Sequence, residues 1–176
     1  MTPEERVQMR IEQLMTKATR TCRVGQSLSD VVEMMRLNDC GCLPVTPDDG
    51  SQRLLGIITD RDICMAVRSG GGDPGGFQAG DVMTEVVRAC NPGDSVSEAT
   101  AIMGEARVRR LPVVDDSERV IGLLSLADLA LEAVRQDTRK SPEITMAEVG
   151  GLLAAICRPR ESGMDWPSNQ KRYAKC

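Results

Sequence analysis

The sequence contains no histidine, and only three of its 176 residues, Phe77, Trp166 and Tyr173, are aromatic. Without histidine the chain lacks the commonest general base, the commonest metal ligand and the side chain that titrates near neutral pH. Because a Ser or Cys nucleophile normally needs such a base, we expect that the chain is not an enzyme. The shortage of aromatic residues also excludes the stacking platforms on which proteins bind single-stranded nucleic acids.

Long apolar runs and clusters of one charge are lacking as well. No stretch of about 18 uncharged apolar residues occurs, so we expect no membrane-spanning helix. The net charge is −4 and no basic tract is present, which makes nucleic acid an unsuitable partner. Residues 1–6 are charged and no apolar core follows them, unlike a signal peptide. The lack of signal-peptide features and the seven irregularly spaced cysteines together favour reduced thiols and a cytoplasmic location.

Cys40 and Cys42 are the one close pair of cysteines. Zinc needs four ligands, and the chain offers neither histidine nor a second close cysteine pair, so we expect no metal. A redox disulfide between positions this near in the chain would be strained. Cysteines that act as small apolar side chains remain the simplest interpretation.

An internal repeat is the strongest positive feature of the sequence. Met15-Thr16 matches Met83-Thr84, and Leu43-Pro44-Val45 matches Leu111-Pro112-Val113 in the same register. After a two-residue deletion in a polar turn, Gly56 matches Gly122 and Asp62 matches Asp128. Turns tolerate length changes, so the repeat indicates one unit that is present twice.

Each copy predicts the order strand, helix, strand, strand, helix. Ser27 and Ser95 are candidate N-caps of the first helices, and Thr59 and Ser125 precede the second helices. The Leu-Pro-Val segments and the apolar runs at 54–58 and 120–124 are typical of short buried strands, and weaker leading strands are predicted near 21–24 and 89–91.

The predicted boundaries follow from this order. We expect a first domain at 8–69, a Gly-rich flexible linker at 70–77 and a second domain at 78–136. Residues 137–176 form an extension, in which the apolar spacing predicts an amphipathic helix at 143–156 and the composition predicts a loose polar tail from 158.

The duplicated pattern of Met-Thr, helix, Leu-Pro-Val, turn and Gly-apolar-apolar-Thr/Ser-x-x-Asp resembles a cystathionine-β-synthase (CBS) domain pair over roughly residues 8–136. The resemblance implies an α/β (α+β) fold of tandem CBS domains packed about a pseudo-two-fold axis, with two clefts between the copies. It also implies a regulatory module that binds AMP, ADP or ATP, with NAD and S-adenosylmethionine as further candidates. Such modules commonly pair as homodimers, and the target of this one would be a separate protein.

The residues that match the ribose ligands of the family are Asp62 and Asp128, assisted by Thr59 and Ser125. A carboxylate accepts two hydrogen bonds and suits the two adjacent ribose hydroxyls. The alternative is purely structural, because a hydroxyl three residues before a carboxylate also forms a helix capping box.

Further family positions surround the adenine and the phosphates. By the resemblance, the adenine positions are Thr16 and Thr21 in the first copy, Thr84 and Ala89 in the second, and the apolar contacts Cys40, Val108, Ile57 and Leu123. Each apolar residue is equally well interpreted as core. The phosphate candidates are Arg109, Arg110 and Arg61, whose alternatives are a solvated helix end or a surface ion pair.

Phosphate candidates distinguish the copies, because the first has Gly41 and Cys42 where the second has Arg109 and Arg110. We therefore expect two unequal sites, of which the one with Asp128 holds a phosphorylated adenosine more tightly. The alternative function is a structural or protein-interaction module whose clefts bind no ligand.

Overall fold

The computed structural model describes residues 8–17, 19–69 and 73–158. The chain alternates short strands and helices, so the predicted mixed α/β class is confirmed. No helix in these ranges combines the length and the hydropathy that crossing a bilayer requires. In chain order the elements are β1 Thr16–Lys17, β2 Cys22–Arg23, α1 Leu28–Leu37, β3 Cys42–Thr46, β4 Gly56–Thr59, α2 Asp60–Ser69, α3 Ala79–Val82, α4 Val96–Ala106, β5 Arg110–Val114, β6 Val120–Ser125, α5 Leu126–Gln136 and α6 Met146–Ile156.

The chain divides into two compact units that do not follow chain order. The Asp62 unit comprises Arg20–Val87 and Ser117–Val120. The Asp128 unit comprises the described residues up to Thr19, the segment Arg88–Asp116 and the described residues from Ile121 onward. Each unit has its own core and its own three-stranded sheet.

In the Asp62 unit the sheet has the order β2-β3-β4, with β2 parallel and β4 antiparallel to β3. All five residues of β3 are buried, which explains why this strand is an uninterrupted apolar run rather than an alternating one. Its core joins β3 and β4 to α1, α2 and α3 through buried aliphatic side chains, among them Leu28, Val31, Leu43, Ile58 and Ile63.

In the Asp128 unit the sheet has the order β1-β6-β5. The leading strand predicted at 89–91 is reduced to one bridge between Cys90 and Val113. The core combines α4, α5 and α6 with Ile11, a fully buried residue from the N-terminal segment. That segment is held by hydrogen bonds from Ile11 N to Asp94 O and from Glu12 N to Pro92 O, both of 3.0 Å.

The two copies exchange their leading segments. Thr16, in the leading segment of the first copy, pairs with Leu123 of the second, and Thr84, in the leading segment of the second copy, pairs with Ile57 of the first. Gly56 and Gly122 make this pairing possible. A Cβ at Gly56 would lie 2.9 Å from Thr84 O, and a Cβ at Gly122 would lie 3.0 Å from Thr16 O.

The first helices begin as the sequence predicts. Ser27 accepts a hydrogen bond from Asp30 N, and Ser95 forms a reciprocal capping box with Glu98. After both helices the chain turns through a residue of left-handed conformation, Asp39 (φ 47°) or Arg107 (φ 53°). This matched reversal leads directly into β3 and β5.

The C-terminal helix begins later than its apolar spacing predicts. Helix α6 begins at Met146 because Thr145 caps it and forms a reciprocal box with Glu148. Val149, Leu152 and Ile156 bury its inner face in the Asp128 unit. Of the predicted linker, residues 70–72 lie outside the described residues and Pro74–Gly76 form a 3-10 helix. Residues 159–176 of the predicted tail also lie outside them.

Candidate functional site

The structure contains the same hydroxyl–carboxylate box at two strand-to-helix junctions. At the β4–α2 junction, Thr59 Oγ1 donates to Asp62 Oδ2 at 2.6 Å and Thr59 N donates to the same oxygen at 2.9 Å. At the β6–α5 junction, Ser125 Oγ and N donate to Asp128 Oδ2 at 2.6 and 2.8 Å. In return, the backbone amide of each Asp donates to the hydroxyl, at 3.3 and 3.2 Å.

These boxes establish the structural role that the sequence analysis left open. Each is a true helix cap, which fixes the side chain of its Asp at the positive end of a helix. The hydrogen bonds of each box converge on Oδ2 and leave Oδ1 outside the box. Both Asp residues are half-buried. The cap therefore occupies one carboxylate oxygen and holds the second in a fixed position.

The segment exchange regroups the predicted adenine positions. Thr16 belongs to the Asp128 unit, where it pairs with Leu123, two residues before Ser125. Thr84 belongs to the Asp62 unit, where its backbone exchanges hydrogen bonds of 3.0 and 2.9 Å with that of Ile57. Thr16, which belongs to the first copy in sequence, therefore lies with the second copy in space, and Thr84 lies with the first.

After this regrouping, each unit contains residues predicted to contact adenine, ribose and phosphate. The Asp128 unit contains Thr16, Ala89, Val108, Arg109, Arg110, Leu123, Ser125 and Asp128. The Asp62 unit contains Thr21, Cys40, Ile57, Thr59, Arg61, Asp62 and Thr84.

The apolar members of these sets occupy matched places. Cys40 and Val108 both follow the left-handed residue, are half-buried, and donate backbone hydrogen bonds to Met35 O (3.0 Å) and Met103 O (3.1 Å). Thr21, in contrast, donates its hydroxyl to Gln52 Oε1 at 3.3 Å, and Ala89 carries no polar side-chain group.

The units differ in charge where the residue just before β3 or β5 meets the first residue of α2 or α5. In the Asp128 unit, Arg109 O accepts a hydrogen bond from Leu126 N at 2.9 Å. The matching bond in the Asp62 unit runs from Asp60 N to Gly41 O at 3.2 Å. A Cβ at Gly41 would lie 2.8 Å from Asp60 Oδ2. One unit thus has an arginine at this position, and the other has a glycine beside a carboxylate.

The remaining arginine candidates lie on the surface. Arg110 begins β5 and is exposed. Arg61 is exposed in the first turn of α2, where its backbone amide donates to Asp60 Oδ1 at 2.7 Å. Asp60 therefore sets the electrostatic character of this region, and the sequence analysis did not identify it. Aligning the paired copies at Asp60 and Leu126 would have found it.

A second matched pair, Cys22 and Cys90, lies in the cores beneath the sheets. Burial raises the pKa of each thiol to about 12, and each Sγ lies 3.9 Å from the backbone oxygen of the Pro in the adjacent strand. These thiols are therefore buried and protonated at neutral pH. They serve as small apolar core residues.

The chain matches known proteins over most of its length. The CBS-domain pattern matches residues 11–69 and 79–135. Hypoxic response protein 1 of Mycobacterium tuberculosis is 33% identical over 141 residues, which cover 79% of this chain and 88% of that protein. The crystal structure of Hypoxic Response Protein I, described with two coordinated zinc ions, has a TM-score of 0.63 and 30% identity, and the match covers 70% of this chain and 98% of that one.

Two further solved structures share the fold and contain adenosyl ligands. CBSX2 in complex with AMP has a TM-score of 0.62 at 24% identity, covering 74% of this chain and 98% of that one. The CBS domain pair of MJ0100, in complex with 5′-methylthioadenosine and S-adenosyl-L-methionine, has a TM-score of 0.62 at 21% identity, covering 70% and 94%.

The residues of this chain do not fit the zinc of the first relative. Zinc sites are built from Cys, His and carboxylate ligands, and the sequence contains no His. Within residues 8–17, 19–69 and 73–158, no three Cys, Asp or Glu side chains are grouped closely enough to hold a metal ion.

Proposed function

The chain belongs to the CBS-domain family, and from that premise we propose that it is a regulatory module that binds an adenosine phosphate in the Asp128 unit. The observation that carries the proposal is the capping box of Ser125 and Asp128, in which the helix cap uses Oδ2 and leaves Oδ1 of the same carboxylate outside the box. The module has no catalytic role, and it acts by binding.

The ribose is the part of the ligand that Asp128 recognises. Its two adjacent hydroxyls are donors, and a carboxylate is an acceptor-only group. Hydrogen bonds to a charged acceptor contribute about 1.5–3 kcal/mol each. Because the box fixes the χ angles of Asp128 before the ligand arrives, little side-chain entropy is lost on binding.

Arg109 supports a ligand with phosphate groups in the Asp128 unit. It is exposed, and its backbone is hydrogen-bonded to Leu126, the residue after Ser125. Its planar guanidinium suits bidentate contact with phosphate oxygens, and Arg110 adds a second positive charge next to it in the chain.

An adenosyl group is the ligand class that the relatives support. AMP, 5′-methylthioadenosine and S-adenosyl-L-methionine in the two solved complexes share that group. Within the class we favour AMP, ADP or ATP because of the two arginines. NAD and S-adenosylmethionine are the other candidates, and a screen of all five by thermal shift ranks them through the stabilisation that each provides.

The Asp62 unit favours a second candidate function. Near the Thr59–Asp62 box, Gly41 stands where the other unit has an arginine, and the Asp60 carboxylate lies beside it. A carboxylate repels phosphate. We propose that this unit binds a phosphate-free adenosyl ligand weakly or serves only as a structural and interaction surface.

We further propose that the module pairs with a second copy in the cytoplasm and regulates a separate protein. Exposed apolar side chains on helices support protein contacts: on α5, Leu131 is 60% and Val134 is 62% exposed, and on α1, Leu37 is 67% exposed. Apolar side chains on adjacent turns of one helix form a surface that a partner can bury.

Isothermal titration with AMP tests the proposal with the variants Asp128→Asn and Asp62→Asn. An Asn side chain keeps one carbonyl oxygen that can accept the box hydrogen bonds, but it replaces the second oxygen by an NH2 donor that cannot accept from ribose. We expect Asp128→Asn to weaken AMP binding by about 10- to 100-fold, the equivalent of roughly 1.4–2.8 kcal/mol. Asp62→Asn should change it far less.

The two variants are matched controls, because each alters one copy of the same box. Helix content by circular dichroism should be unchanged in both, since the cap persists. Equal losses of affinity would contradict the asymmetry, and full affinity in Asp128→Asn would contradict the ribose assignment.

A further inference from the structure

Arg109 connects two helix ends within the Asp128 unit. Its backbone oxygen accepts from Leu126 N at the beginning of α5, beside the Ser125–Asp128 box. Its side chain reaches the end of α6, where Nη2 donates to Cys157 Sγ at 3.6 Å. Arg109, which we propose as a phosphate-binding residue, therefore already has a partner, and that partner is the C-terminal helix.

The end of α6 gains from this contact because the helix has no basic residue in its own last turn. The C-terminal end of a helix carries a partial negative charge, and a cation beside it is stabilising. Arg109 supplies that cation from the residue before β5. The hydrogen bond itself is weak, since a thiol sulfur is a poor acceptor.

A phosphate group is a far better partner for the same guanidinium. Charge-assisted bonds between Arg and phosphate are shorter and about twice as strong as neutral ones. We propose, resting on the function proposed above, that the nucleotide phosphate and the end of α6 compete for Arg109. Phosphate binding releases the last turn of α6, and a nucleoside without phosphate leaves it in place.

The released part is confined to the last turn. Val149 and Leu152 remain buried in the core, and the Thr145–Glu148 box holds the first turn. The amide of Cys157, which donates to Leu153 O at 2.9 Å, lies in the part that loosens. The module thus reports whether its ligand carries a phosphate through a helix end that a target protein can contact.

Hydrogen exchange of the α6 amides tests this competition directly. It is measured in the Asp62→Asn variant, so that ligand effects arise from the Asp128 unit, with saturating AMP or saturating adenosine. We expect the amides of Ile156 and Cys157 to exchange severalfold faster with AMP and at the unliganded rate with adenosine. Equal rates with both ligands would overturn the inference.

Coupling is reciprocal, so a stronger partner on α6 must weaken phosphate binding. Cys157→Asp gives Arg109 a carboxylate partner, and we expect about two- to fivefold weaker AMP binding, in line with an exposed ion pair. Adenosine binding should not change. Ala147→Asp adds the same charge at the exposed opposite end of α6, and it should leave both affinities unchanged.

The outcomes separate this inference from the proposed function. If AMP and adenosine both bind but Cys157→Asp alters neither affinity, or alters both equally, the competition is refuted and the ribose site stands. If the Asp62→Asn chain binds AMP and adenosine equally well, Arg109 does not read the phosphate, and the inference and the preference for a phosphorylated ligand fail while the ribose assignment stands. If neither ligand binds, both fail.

Discussion

The Asp62 and Asp128 units share a helix cap and differ in the charge beside it. Both boxes have nearly identical geometry, with hydroxyl-to-carboxylate distances of 2.6 Å in each. Beside them, one unit has Arg109 and the other has Gly41 with Asp60. Both second helices need the cap, so it is the same in the two units, whereas the charge beside it is not needed for the helix and differs between them. Under the proposed function, ligand preference therefore resides in that neighbouring charge.

The prediction with the largest expected effect concerns the pH dependence of stability, and it tests whether the cores of the two units are equivalent. Native Cys22 and Cys90 keep their protons up to about pH 12, whereas unfolded thiols lose theirs near pH 9. The unfolded state therefore binds fewer protons between these values, and the free energy of unfolding falls as the pH rises from about 9 to 12. By about pH 10.5 each thiol should contribute a loss of roughly 2 kcal/mol.

Urea denaturation at pH 8 and pH 10.5 measures this loss. The variants Cys22→Ala and Cys90→Ala should each remove roughly 2 kcal/mol of the pH effect, while titration of other groups is common to all variants. A pH effect that only one of the two variants reduces would show that the cores are not equivalent.

The next effect tests the exchanged segments. Gly56→Ala and Gly122→Ala each introduce a Cβ within about 3 Å of the backbone oxygen of the incoming strand, at Thr84 and Thr16 respectively. We expect each to lower the free energy of unfolding by about 1–3 kcal/mol, measured by urea denaturation. Gly93→Ala is the control, since nothing lies within 4 Å of its added Cβ. A neutral result at Gly56 or Gly122 would contradict the close approach.

The prediction with the smallest expected effect transfers the charge of the Asp128 unit to the Asp62 unit. In an Asp128→Asn background, Gly41→Arg combined with Asp60→Leu gives the Asp62 unit the residues of its counterpart, and Asp60→Leu also removes the carboxylate that the new side chain would meet. We expect AMP to bind about three- to tenfold more tightly relative to adenosine, by titration calorimetry. An unchanged ratio would mean that this charge does not govern phosphate preference.

Local features of this fold were predictable from the sequence and distant pairings were not. The Ser27 and Ser95 caps and the duplicated boxes depend on residues three positions apart, so their patterns are visible in the chain. The pairing of Thr16 with Leu123 joins residues far apart in sequence, and no local pattern records it. For the same reason the contact between Arg109 and Cys157 became apparent only in three dimensions.

The beginning of α6 shows a different limit. Apolar spacing locates the buried face of a helix but not its first residue, which hydrogen bonding sets. Thr145 and Glu148 form the box that begins α6. Ahead of it, Glu143 N donates to Oε1 of the fully buried Gln136 at 2.6 Å. This bond fixes residue 143 in the connection between α5 and α6 rather than in the helix.

The exchange of segments has a consequence for synthesis on the ribosome. The Asp62 unit draws nearly all of its residues from one continuous stretch, whereas the Asp128 unit needs both Ile11 and α6, from opposite parts of the chain. At about 5–20 residues per second, Ile11 waits on the order of 10 s for its partners to be translated. During that interval Ile11, which is fully buried in the finished protein, is available to chaperones and to neighbouring nascent chains. The Asp128 unit should therefore complete its folding last, and a chain that stops before α6 leaves its core open.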